Sequence, residues 1–130
     1  MPKEQVPTNP TEAYQALIDE LVDETSHGVS EALVKEDCIY SKAIGQGPAN
    51  SLVKSLSAEQ RKILAGMLHE ERTGAIHDVL AVLTWWFECR DVAMTFHGQP
   101  MTSDFSGMGL HGDYIGRLGG WQWPKTKSGV

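Results

Sequence analysis

The 130-residue chain suits one domain, long enough to bury about two-thirds of its unfolded surface without disulfide or metal staples. Its 41% hydrophobic and 22% charged content is that of an ordinary globular protein and excludes global disorder. The formal net charge is −6, and lysines and arginines are scattered singly apart from Arg61-Lys62, which argues against nucleic acid as a partner. An acidic surface instead fits a cytoplasmic protein, or one that binds a basic partner.

Cys38 and Cys89 are the only cysteines, without the CxxC or Cys-His spacing of a structural zinc site. Met-Pro-Lys-Glu-Gln at the start lacks an apolar signal region, so both thiols are expected to be reduced in the cytoplasm. The longest apolar stretch, Ala75 to Phe87, is too short for a bilayer and contains His77 and Asp78. No membrane association is expected.

In chain order, residues 1–10 read as a flexible arm, 11–124 as a single globular domain and 125–130 as a flexible tail. Thr11 is the expected N-cap of a first amphipathic helix. Its apolar face runs through Tyr14, Leu17, Ile18, Leu21, Thr25, Gly28, Val29 and Ala32. The opposite face carries Asp19, Glu20, Asp23 and Glu24 at metal-compatible spacing, and a solvated face explains it more simply. Gly28 marks a kink or a close helix contact. Asp37 to Gly47 reads as a loop, and Pro48 opens a short helix bearing Leu52, Val53 and Leu56.

Ser57-Ala-Glu-Gln60 has the form of a capping box and opens a long helix reaching Cys89. At 100° per residue its main apolar stripe is Ile63, Leu64, Met67, Leu68, Ala75, Val82 and Trp85. From Ile76 to Phe87 a second apolar face appears, which predicts an element covered on both sides. Next, Val92 to Phe96 alternates like a strand, and His97-Gly-Gln-Pro100 reads as the turn of a hairpin. The glycine-dense run from Ser106 to Gly120 predicts bulges and turns folded back over the long helix. The expected fold is α+β, mainly α: two or three packed helices, a small antiparallel hairpin and a Gly/Trp-rich C-terminal segment.

Glu71 and Asp78 fall in the middle of the main stripe, about 20° apart in direction and about 10 Å apart in rise. A carboxylate placed in a core costs several kcal/mol unless paired, so the pair predicts a buried ionic tie or a polar pocket. The expected network is Glu71, His77, Asp78, His111 and Arg117, with Arg117 as the cation. Glu70, Glu71, His77 and Asp78 with His111 and Asp113 offer carboxylate and imidazole ligands, but the spacing lacks HExxH and no metal is assigned. Gly107-Met-Gly-Leu-His-Gly112 spells GxGxxG, yet no strand precedes it and no room is left for the helix of a dinucleotide fold. No GxSxG occurs, so no catalytic residue and no cofactor is assigned. Trp85, Trp86, Trp121 and Trp123 are expected either to cluster in the core or, where exposed, to anchor an interface.

Glu70-Glu-Arg-Thr-Gly-Ala-Ile-His-Asp-Val-Leu80 and Asp113-Tyr-Ile-Gly-Arg-Leu-Gly-Gly-Trp-Gln-Trp-Pro124 resemble the signature segments of a small, uncharacterised bacterial domain family. That resemblance implies a bacterial or phage-borne cytoplasmic protein and transfers no activity. The expected function is binding rather than catalysis: an acidic interaction protein, of immunity or inhibitor type, with a basic protein partner or a homodimeric one. The alternative is a small-ligand-binding protein or metal-assisted hydrolase with a polar pocket around Glu71, His77 and Asp78.

Overall fold

The computed structural model describes residues 6–28, 30, 33–34, 47–103 and 105–125. They form α1 (Pro10–Thr25), α2 (Gly47–Ser55), α3 (Ala58–Cys89), β1 (Thr95–Phe96), β2 (Gln99–Pro100) and α4 (Gly109–Leu118). The architecture is therefore mainly helical α+β with one small hairpin, as the sequence implies, and α3 is its long central helix. No helix among the described residues is long and apolar enough to cross a membrane. The loop around Ile39-Tyr40, Cys38 and most of the expected arm and tail lie outside the described residues.

Side-chain caps set the helix starts. Asn9 Oδ1 accepts the Glu12 amide at 2.9 Å, and Glu12 Oε2 accepts the Thr8 amide and hydroxyl, both at 2.8 Å. Thr11 is thus not the cap. Pro10 has no N–H to contribute and fits the first helical position, which moves the cap back to Asn9. For α3 the capping box forms as spelled: Ser57 N–H donates to Gln60 Oε1 at 2.9 Å and Gln60 N–H to Ser57 Oγ at 3.1 Å.

α1 stops at Thr25 instead of continuing toward Ala32. The Ser26 amide and hydroxyl both turn back to the Asp23 carbonyl, and the His27 amide reaches that of Glu24. Arg72 then donates to the Glu24 carbonyl at 2.9 Å, placing a cation at the negative end of the helix. Gly28 makes room for it, since a Cβ there would lie 2.9 Å from Arg72 Cδ. The close helix contact expected at Gly28 is this one.

The chain divides into two compact units, one holding residues up to Val22 and from Ile76 onward, the other Asp23–Ala75. In the second, Leu33, Val53 and Ala65 form a small core with Leu64 and Leu68 against it. The first is built on Tyr14, Ile18, Leu80, Leu110 and Tyr114, flanked by Ile76, Phe87, Phe105 and Trp123 among others.

The hairpin is shorter than expected. β1 and β2 pair antiparallel, Thr95 with Pro100 and Phe96 with Gln99. Their two-residue turn is His97-Gly98, at φ 49° and 78°. Two positive φ values match the right-handed strand twist, and Gly98 adopts its value without strain.

The glycine-dense run holds a ten-residue helix, α4, where turns and bulges were expected. Its glycines allow close approach. A Cβ on Gly109 would meet Thr84 Cγ2 at 2.8 Å, and one on Gly116 would meet the Trp121 ring at 3.1 Å. Tertiary contact overrides the poor helix propensity of glycine here.

Thr8 bonds hold the Glu12 carboxyl below the ordinary glutamate pKa, the backbone amide contributing most. A depressed folded-state pKa gives stability that is complete above the unfolded value and lost as pH falls through the folded one. Glu12→Gln should therefore lower stability at neutral pH and flatten the acid limb below the ordinary glutamate range. Thermal melts between neutral pH and pH 3 check this, and a parallel acid limb in parent and variant would contradict it.

Candidate functional site

The expected ionic core does not form on α3. Glu71 is exposed, and the Asp78 side chain is 82% exposed. Ile63, Met67, Val82 and Trp85 of the supposed core stripe are exposed as well. The inward stripe is instead Arg61, Ala65, Leu68, Arg72, Ile76, Leu80, Thr84 and Phe87, none of them exposed. Three of those eight side chains are polar, which made the wrong face look like the core. Thr84 can be buried because its hydroxyl is satisfied: it donates to the Leu80 carbonyl at 2.8 Å and accepts the Leu110 amide at 3.1 Å.

Arg117 is the cation of a tie, but its carboxylate comes from α1. Its Nε donates to Asp19 Oδ1 at 2.6 Å, its NH1 to the Trp121 carbonyl at 2.6 Å, and its guanidinium lies 5.4 Å from the Trp123 ring centre. Trp123 Nε1 closes the ring by donating to Asp19 Oδ2 at 3.2 Å. Trp121 and Trp123 pack on each other at 5.6 Å, and Trp123 also meets Phe105 and Tyr14. Trp85 and Trp86 take no part in this cluster and stand exposed.

The buried carboxylate is Asp113, fully enclosed, which accepts hydrogen bonds from the Tyr14 phenol and the Ser106 hydroxyl. The sequence carries one hint of it: a lone acid among Leu110, Tyr114 and Leu118, the apolar positions of α4.

Of the remaining candidates, His77, Asp78 and His111 meet. His77 Nδ1 lies 3.0 Å from Asp78 Oδ1, and the two imidazoles stand edge to face at 5.3 Å. His111 Nδ1 is 3.4 Å from Thr84 Oγ1. The Thr84 proton is committed to Leu80, so His111 Nδ1–H is the donor in that contact. Asp78 Oδ1 likewise accepts from His77 Nδ1–H, and in its neutral form each imidazole then presents Nε2 as an acceptor. Glu71 and Arg117 have no bond to this pair among the described residues, and no group of three or more His, Cys, Asp or Glu there could hold a metal.

The second half of α3 turns a continuous apolar face outward. Val79 is 59% exposed, Val82 58%, Trp85 56% and Trp86 44%, with Leu83 beside them. A shallow cavity of ≈ 300 Å³ lies among Asp78, Val79, Val82 and Leu83. Arg90 folds its guanidinium 5.0 Å over the Trp86 ring centre and so closes one end of the face. A second apolar groove, ≈ 450 Å³, is lined by Ala13, Ala16 and Leu17 of α1 and by Met94, Phe96 and Met101 of the hairpin segment.

Fold and surface together define a small helical α+β protein with an enclosed, hydrogen-bonded Asp113 inside and an apolar helix face outside. Residues 7–125 match the model of the Family of unknown function (DUF6547), and the chain belongs to that family. Both signature segments of the sequence lie within the matched region. No curated protein and no solved structure matches the chain.

The enclosed Asp113 yields a measurable coupling. Tyr14→Phe should cost about 1–3 kcal/mol, because it removes a donor from a carboxylate that water cannot reach. In an Asp113→Asn background the same change should cost distinctly less, since the two groups share one bond. Urea unfolding of the four proteins in this cycle checks it; equal costs in both backgrounds would show the bond to be inconsequential.

Proposed function

We propose that this protein is an interaction module whose docking surface is the outward apolar face of α3 from Asp78 to the helix end, with Arg90 just beyond it. The exposure of Val79, Val82, Leu83, Trp85 and Trp86 over successive turns of one helix carries the reading. Each Trp presents 150–250 Å² when free, so at these exposures the two together offer roughly 200 Å². With three aliphatic neighbours the patch reaches the few hundred Å² that mark a binding surface on a monomer. Tryptophan and arginine are also the side chains that most often anchor interfaces. The partner is a protein with a complementary apolar helix, flanked by charges that answer Asp78 and Arg90.

Substituting both tryptophans separates docking from folding. Trp85→Ala with Trp86→Ala should keep urea stability in dilute solution within about 1 kcal/mol of the parent, as for other exposed positions. In the dilute parent, acrylamide should quench the fluorescence of Trp85 and Trp86, as for side chains on an open face. A stability loss of about 3–5 kcal/mol, the cost of removing a core tryptophan, would refute the reading.

The histidine pair supports a second reading, a small polar ligand donating hydrogen bonds to His77 and His111 Nε2 beside Asp78. A thermal-shift screen of amines and sugars tests it. A stabilising hit abolished by His111→Ala favours it, and hits indifferent to that change remove it.

A further inference from the structure

We infer that the occupant of the α3 face is a second copy of this chain, its α3 lying antiparallel to the first across a two-fold axis at Val82. The inference rests on the docking reading above and names the partner it requires.

Axial spacing carries it. Asp78 lies four residues before Val82 and Trp86 four residues after, each about 6 Å along the helix. Arg90 starts one turn further on, but its guanidinium folds back over Trp86, which brings the cation to the Trp86 level. A two-fold axis at Val82 exchanges these levels. Asp78 of one copy then sits in the same layer as Trp86 and its stacked guanidinium in the other, and the contact occurs twice. Charge complementarity is thus built into the face itself.

The apolar layers match in the same register. Val79 and Trp85 are each three residues from Val82, so every copy sets a small side chain against the other's large one. Val82 meets itself at the centre, small enough for close approach of the two helices. A parallel pairing would instead oppose Asp78 to Asp78 and Trp86 to Trp86, stacking like charges and bulky rings. Self-complementarity of one patch is what an isologous two-fold interface demands.

Sedimentation of the full chain over a concentration series, under reducing conditions because Cys89 is exposed, reads the result. The parent should sediment as a dimer that dissociates on dilution. Val82→Glu places two carboxylates on the axis and should raise the dissociation constant about tenfold or more. Asp78→Arg and Arg90→Asp should each weaken the dimer, and the double exchange should return it close to the parent value. All three positions are exposed, so far-UV circular dichroism should stay unchanged.

A dimer indifferent to Val82→Glu, or one the double exchange fails to restore, overturns the inference. A parent that stays monomeric while acrylamide quenches its exposed tryptophans overturns it too, and leaves the docking reading standing. If those tryptophans are shielded in the monomer, the docking reading falls and takes the inference with it.

Discussion

A fully enclosed carboxylate organises the larger unit. Asp113 is fully enclosed, and its partners come from two separate stretches of chain, Tyr14 on α1 and Ser106 before α4. α4 contains Gly109, Gly112 and Gly116 and would not persist as a free helix of ten residues. Anchoring it through Asp113 makes the α1 contact a condition of the helix itself. The Tyr14 ring then stacks on Phe105 at 5.8 Å, so the residues leading into α4 are ordered by the same side chain.

The second tie, Asp19–Arg117–Trp123, extends this logic to the last described turn. Arg117 is partly exposed, so its pairing with Asp19 contributes less than an enclosed pair would. Its value is geometric. One planar guanidinium meets a carboxylate, a backbone carbonyl and an aromatic face, and so sets the path of residues 121–123 across α1 and α4. The two ties lie on one helix, at Asp113 and Arg117, one turn apart.

How far the sequence foretold this depends on what each residue reports. The Ser57 capping box, the length of α3 and, to within one residue, the start of α2 (Gly47, where Pro48 was the expected opening) were legible because local hydrogen bonds and backbone preferences decide them. The inward face of α3 was not. Arg61, Arg72 and Thr84 face inward because each finds a carbonyl or amide partner, some of them distant in sequence. Apolarity alone therefore pointed to the wrong side of the helix. The same cause hides α4: by propensity its glycines break a helix, whereas in the fold Gly109 and Gly116 are close-contact positions against Thr84 and Trp121. Within the candidate site, His77, Asp78 and His111 do meet, but Arg117 answers to α1 rather than to Glu71 or Asp78.

The apolar outer face is the most conspicuous pattern of the sequence, and apolarity alone assigns it to the core. Such a face carries a penalty in water that an inward face does not, and something must keep the unbound chain from aggregating. Asp78 within the patch, Glu88 exposed near its end and a net charge of −6 for the whole chain provide that opposition. Charges at the rim of an apolar surface act on both states: they repel indiscriminate contact, and they become favourable when a partner presents the opposite sign in register. A pure core helix would gain nothing from an acid at position 78. A helix that meets water first and a partner later needs one there.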